Sequence, residues 1–168
     1  MKRLLLLLGP NGVGKTTTAA ALLDMLPHSA YLDADWCRAV NPFPFTEETK
    51  KTVAENIFCL LRNYLLCPEI QTVIFPYGFH GQRKQLFETV LRRLEQEPLH
   101  FQLTPFLLVC SLEENIRRAK MDGRGQARIE RGIQNTFHFY DQSPYPKIDT
   151  TNQSPERAAR TILSLLDL

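Results

Sequence analysis

The chain has 168 residues, of which 43% are hydrophobic and 23% charged, enough apolar material for a single globular domain over residues 1–168. A formal net charge of +2, with Lys and Arg spread along the chain, argues against a nucleic-acid partner. Four cysteines without a C-x-x-C pair or a histidine at zinc-finger spacing exclude a disulfide scaffold and a zinc finger, and predict reduced thiols in a cytoplasmic protein.

Leu4 to Leu8 is an uninterrupted apolar run ended by Gly9, the pattern of a central parallel strand covered on both faces. It is too short for a signal-peptide core and runs straight into a polar loop, so no targeting segment and no membrane partner are expected. That loop reads Gly9-Pro10-Asn11-Gly12-Val13-Gly14-Lys15-Thr16 and matches G-x-x-x-x-G-K-[ST] between a strand and a helix. Glycines there let the backbone turn tightly and bring N–H groups up to polyphosphate oxygens. Lys15 supplies a point charge to the β- and γ-phosphates, Thr16 a hydroxyl to Mg²⁺, and the following helix the positive end of its dipole. Gly9, Asn11, Gly12, Val13, Gly14, Lys15, Thr16 and Thr17 are therefore the expected nucleotide-binding residues, with ATP and Mg²⁺ as cofactors.

The helix from Lys15 to Met25 stops before Pro27, and Ala30 to Asp33 reads as a second strand. At its end stands Asp33-Ala34-Asp35. Ligands of open α/β sheets lie beyond the carboxyl ends of the strands, and alternation along an extended segment puts residues two apart on one side. One carboxylate then serves the metal shell and the other an acceptor hydroxyl. Thr46 is the expected N-cap of a long amphipathic helix carrying Val53, Ile57, Leu60, Leu61, Tyr64 and Leu65 and ending at Pro68. The stretch from about 36 to 68 forms an insertion that borders an acceptor, and Trp36, Phe43 and Phe45 either line it or pack into the core.

Thr72 to Phe75 is the third strand, followed by the loop Pro76-Tyr77-Gly78-Phe79-His80-Gly81, where His80 is read as structural or solvated. Leu86, Phe87, Val90, Leu91 and Leu94 form the apolar stripe of the next helix, leaving Arg83, Lys84, Arg92 and Arg93 as a solvated face. The fourth strand lies within Phe101 to Cys110 and concentrates in Phe106 to Val109, because Pro105 cannot donate to a ladder. Ser111 and Glu114 match a capping box. Five arginines follow within fifteen positions, from Arg117 to Arg131, around the glycine-containing stretch at about 120–130, which reads as a flap. A helix from about Arg128 to Tyr140 comes next, then a short strand Lys147 to Asp149, a polar turn Thr150 to Gln153, and a last helix capped by Ser154 and opened by Pro155. Arginines delivered by a closing flap suit the charge that spreads over a phosphoryl group in transfer.

No apolar strand ends in Asp-Glu, no strand is followed by D-x-x-G, and N-K-x-D does not occur, which sets aside motor-type ATPases and GTP switches. The glycine loop, the Leu32-Asp33-Ala34-Asp35 strand end, the Arg118 to Arg131 region and the Ile148-Asp149-Thr150-Thr151 turn together resemble the small phosphate-loop kinases, which include adenylate, shikimate and gluconate kinases. The Leu32-Asp33-Ala34-Asp35-Trp36-Cys37 segment followed by Asn41-Pro42-Phe43 is most similar to bacterial AAA-family ATPases and nucleotide kinases without an assigned acceptor. The resemblance implies an α/β fold: a three-layer α/β/α phosphate-loop NTPase domain with a five-stranded parallel sheet of order 2-3-1-4-5. It also implies an ATP- and Mg²⁺-dependent phosphotransferase moving the γ-phosphate to a small-molecule acceptor, hydroxyl-bearing or phosphorylated, as a monomer or weak dimer. Carried over, Asp33 serves the metal through water and Asp35 orients or deprotonates the acceptor hydroxyl. Arg118 corresponds to the arginine beside adenine and phosphates, and Arg124 or Arg128 to the flap arginine. Where shikimate kinase has a glycine triplet after its third strand, this chain has Pro76-Tyr77-Gly78-Phe79, which leaves the acceptor open. A regulatory or scaffold ATPase without a small acceptor is the alternative.

Overall fold

A computed structural model describes residues 1–44 and 46–166. Phe45, one of the three aromatics expected at the acceptor wall, lies outside the described residues. In chain order the elements are β1 (Lys2–Leu8), α1 (Lys15–Met25), β2 (Ser29–Tyr31), α2 (Glu47–Leu66), β3 (Thr72–Pro76), α3 (Gln82–Glu95), β4 (Phe101–Val109), α4 (Leu112–Met121), α5 (Gln126–Gly132), β5 (Lys147–Asp149) and α6 (Pro155–Leu165). All strand pairs are parallel, and the sheet order is β2-β3-β1-β4-β5, as the resemblance implied.

The leucine run explains this arrangement. Leu4 to Leu8 are each 0% exposed, and successive side chains of a strand point to opposite faces. Leu5 and Leu7 pack with Ala19 and Leu22 of α1 and with Ala159 and Ile162 of α6. Leu4, Leu6 and Leu8 pack with Ile57 and Leu61 of α2 and with Phe87, Val90 and Leu94 of α3. A strand buried on both faces belongs in the middle of the sheet, and β1 pairs with β3 on one side and β4 on the other.

Local signals set most boundaries. Thr46 caps α2 by accepting the Thr49 N–H, with Glu47 and Glu48 in the first turn of the dipole. Ser154 caps α6 and Pro155 opens it. Ser111 caps α4 through the Glu114 N–H at 3.2 Å, but the reciprocal half of the expected capping box is absent. The Ser111 N–H donates instead to Thr151 Oγ1 at 2.9 Å, while the Glu114 carboxylate turns to Arg117 and Arg118.

Three expectations are corrected. The fourth strand runs unbroken from Phe101 through Pro105. Successive N–H groups of a parallel strand face alternate neighbours, and the Leu107 N–H points outward to Pro146 O at 2.9 Å. Pro105, two residues earlier, has its nitrogen on that same side, where pairing with β5 has not begun, so no ladder bond is lost. The second strand ends at Tyr31 rather than Asp33. The helix expected from Arg128 begins at Gln126 and loosens into a π turn over Ile133–Phe137 and a 3₁₀ turn over His138–Tyr140.

Among the described residues no helix is long and apolar enough to cross a membrane. All four cysteines are free.

The exit from β1 is sterically closed to a side chain. Gly9 has φ +140°, and a Cβ built on it would stand 2.4 Å from the carbonyl oxygen of Leu108 in the neighbouring strand. Gly9→Ala is expected to lower unfolding stability by about 2 kcal/mol or more, read by urea denaturation, since both strain and overpacking fall on backbone that cannot yield.

Candidate functional site

The loop from Gly9 to Thr16 joins β1 to α1, and its geometry suits an anion. Gly12 and Gly14 have φ of +84° and +98°, the left-handed conformation that favours glycine. Unlike α2, α4 and α6, α1 has no side-chain cap and no acidic residue in its first turn. The N–H groups at the start of a helix have no intrahelical acceptor, so those of Lys15 to Thr17 remain with the positive end of the dipole. Lys15 Nζ donates to the carbonyls of Gly9 and Pro10, both at 2.8 Å. Its ammonium is held down to a pKa of about 8, first by burial and then by the nearby charges of Arg83 and Arg124, with Asp35 opposing.

Residues far away in sequence fasten this loop. Arg118 donates to Val13 O at 3.1 Å, to Thr150 Oγ1 at 3.1 Å and to Thr150 O at 2.6 Å, while Glu114 accepts from its Nε at 2.7 Å. Hydrogen bonds from Arg117 and Arg118 hold the Glu114 carboxyl down to about 2. Buried Asn115 donates to Asn11 O at 2.8 Å, and the Asn11 N–H donates to Thr136 Oγ1 at 3.3 Å. The cavity over the loop has a volume of about 600 Å³ and reaches Asp33 and Asp35 on one side and the Thr150 to Ser154 turn on the other.

The two aspartates line that cavity, but not by strand alternation. Asp35 is helical in backbone, φ −69° and ψ −29°, and starts the 3₁₀ turn Trp36–Arg38. Asp33 Oδ1 accepts the Asp35 N–H at 2.8 Å and Oδ2 accepts the Tyr31 hydroxyl at 3.0 Å, so an Asx-type turn positions the pair. The Tyr31 hydroxyl is pushed up by burial and by Asp33. Asp35 is largely exposed and faces Arg83 Nη2 at 3.7 Å.

Arg83 corrects the reading of α3 as carrying only solvated arginines. It stands in the first turn of α3, just after Gly81 with φ +59°, and it lines the cavity. Arg124 is half-buried, paired with Asp122 at 2.9 Å, and its Nη1 would lie 3.8 Å from a Cβ placed on Gly12. Arg117 and Arg118 also line the cavity, whereas Arg128 and Arg131 do not and are exposed on α5. Among the flap candidates the structure thus brings Arg124 to the loop and leaves Arg128 away from it.

A second cavity, about 640 Å³, opens between α2 and α3 and shares Ala34, Asp35, Tyr77 and Arg83 with the first. His80 lines it. Its half-buried ring is kept neutral, with a pKa of about 4, by burial and then by Arg83, Lys15 and Arg38. Phe43 lines this cavity as well, but Trp36 is 80% exposed and joins neither the core nor either cavity.

The donors present fit Mg²⁺. This ion prefers hard oxygen ligands, takes one or two from protein and completes its shell with phosphates and water. Thr16 offers a hydroxyl, and Asp33 a carboxylate whose orientation Tyr31 and the Asp35 N–H fix while lone pairs stay available. Among the described residues no group of three or more His, Cys, Asp or Glu side chains could hold a metal on its own.

No family model matches the chain, and no curated protein matches it significantly. Solved structures do. The tunicamycin resistance protein of Deinococcus radiodurans superimposes with a TM-score of 0.69 at 19% identity, over 100% of this chain and 97% of that one. The shikimate kinase of Acinetobacter baumannii, solved with shikimate, gives 0.61 at 17% over 99% and 93%. The APS kinase of Mycobacterium tuberculosis, solved with AMPPNP and APS, gives 0.61 at 19% over 99% and 98%. The chain therefore has the fold of the small phosphate-loop kinases.

Lys15 provides a test by pH. The free protein loses this ammonium near pH 8, whereas polyphosphate favours its charged form, so binding above that value must take up a proton. Affinity for a non-hydrolysable ATP analogue, measured by calorimetry, is expected to fall by up to about tenfold per pH unit above about pH 8. Affinity that stays level or rises there would remove Lys15 from the phosphate site.

Proposed function

We propose that the protein is an ATP- and Mg²⁺-dependent phosphotransferase acting on a small hydroxyl-bearing acceptor. The observation that carries this reading is the shared boundary of the two cavities. One is built on the glycine loop, the other between α2 and α3, and Asp35 and Arg83 line both. A phosphate donor and a separate acceptor can meet there.

In this reading the loop amides, Lys15, Thr16 and Thr17 bind the β- and γ-phosphates, and Arg118 with the Thr150 to Ser154 turn borders the nucleoside. Mg²⁺ held by Thr16 and, through water, by Asp33 would neutralise phosphate charge when bound. Asp35 accepts the proton of the acceptor hydroxyl. The acceptor oxygen forms a bond to the γ-phosphorus as the bond from that phosphorus to the β,γ-bridging oxygen breaks, and ADP leaves with the electron pair. Arg83 and Arg124 stabilise the charge spread over the transferring oxygens. The stretch from about 36 to 68 serves as the acceptor-binding insertion and the turn at about 120–130 as a lid. Arg128 would join the site only through movement of α5.

Coupled measurement of ADP release tests these assignments. Lys15→Ala is expected to lower turnover by at least about a hundredfold, through lost phosphate binding and transition-state charge stabilisation. Asp35→Asn is expected to lower kcat by about 10²- to 10⁴-fold while nucleotide affinity changes little. Equal kcat in Asp35→Asn and the parent would take the base role away from Asp35.

A further inference from the structure

The two cavities differ in chemistry. Polar and apolar atoms share the wall over the glycine loop about equally, whereas carbon makes up most of the wall between α2 and α3. Phe43, Ala54 and Leu86 present apolar surface to that second wall, and buried Val53, Ile57 and Tyr77 back it. Tyr77 is stacked on Phe75 with centroids 5.1 Å apart, and its hydroxyl donates to the Arg83 carbonyl at 3.2 Å. Its ring is thus held within the aromatic core behind the cavity, and its hydroxyl is already committed. His80, held neutral, adds no charge.

The cations of this cavity are not equally available. Lys50 is paired with Glu47 at 2.7 Å, Arg83 faces Asp35, and Lys51 is exposed. Arg38 is half-buried and makes no ion pair with a carboxylate among the described residues; its guanidinium lies over the Phe43 ring, 5.6 Å from the centroid. A guanidinium against an aromatic face keeps its planar fork free for an anion.

Gln82, Gln85 and Thr89 give this lining some hydrogen-bonding groups, but most of its surface is carbon, and a polyol hydroxyl held against that part leaves water without a partner. A flat apolar body gains by leaving water and stacks on aromatic faces. We propose that the acceptor is a hydroxylated aromatic or similarly flat apolar acid rather than a sugar or sugar acid. Its body lies against Phe43, Ala54 and Leu86, its acidic group at Arg38 and its hydroxyl at Asp35. This rests on the phosphotransferase reading, with the bonds made and broken as given for it.

The test compares two hydroxy acids that differ in body, 6-hydroxy-2-naphthoate and gluconate, by calorimetry in the presence of a non-hydrolysable ATP analogue and Mg²⁺. Hydroxynaphthoate is expected to bind at least about tenfold more tightly than gluconate. Ala54→Trp, which fills the cavity, and Arg38→Gln, which removes the cation, are each expected to weaken it by about tenfold or more with an unchanged melting temperature. Should Ala54→Trp fail to fold, Arg38→Gln at the half-buried rim still decides. The proposal is overturned by gluconate binding as tightly or more tightly, by neither acid binding, or by hydroxynaphthoate binding that ignores both changes. ADP release with ATP separates the two levels. Variant-sensitive binding without transfer supports a flat apolar acid as the ligand of this cavity and counts against the phosphotransferase reading, while transfer to gluconate alone does the reverse.

Discussion

Water reaches neither face of β1 from Leu4 to Leu8, and the five leucines that make it so dictate where everything else must go. A strand apolar on both faces needs helices above and below and hydrogen-bonded neighbours on both edges, which β3 and β4 supply in parallel. Parallel pairing sends every strand end toward the same edge of the sheet. The glycine loop, the two aspartates, the Pro76 to Gly81 loop, Ser111 and the Thr150 turn are therefore neighbours, although 141 positions separate Gly9 from Thr150. The site is a by-product of burying the leucines in the centre.

What gathers at that edge is electrostatically unsettled. Lys15, Arg83, Arg118 and Arg124 surround one loop whose following helix adds an uncapped positive end. Glu114 answers Arg118, and Asp122 answers Arg124, but Asp35 is 3.7 Å from Arg83, and among the described residues Lys15 donates to carbonyls rather than to a carboxylate. Like charges held together lower a lysine pKa, and a polyanion would relieve that repulsion. Such a cluster favours ligand binding over stability, as functional sites commonly do.

How far the sequence spoke depended on how local each contact is. The glycine loop, the α2 and α6 caps and the leucine strand were legible because motif and periodicity act over a few residues. Arg83 was read as solvated because helical periodicity places it off the apolar stripe. What turns it inward is the chain's path through Gly81 and the nearness of Asp35, which no spacing reveals. Asn115 and Thr150 fasten the loop from 104 and 137 positions away from their partners Asn11 and Val13. A buried polar side chain on an otherwise amphipathic helix was the one available hint for Asn115. Pro105 misled for a related reason: whether a missing N–H matters depends on how far β5 extends along the edge. Trp36 resisted because aromatic character alone does not say which side of a short turn faces the protein.

The π turn after α5 has a mechanical consequence. By widening the helix it sets Thr136 where its hydroxyl takes the Asn11 N–H, and four residues on the buried Tyr140 hydroxyl takes the Phe79 N–H at 2.7 Å. At the other end of this stretch Arg118 is tied to Val13 and Thr150. The chain bearing Arg124 is thus a strap buckled at both ends. One buckle joins the glycine loop to the segment bordering the second cavity, so the strap connects the two sides of Asp35.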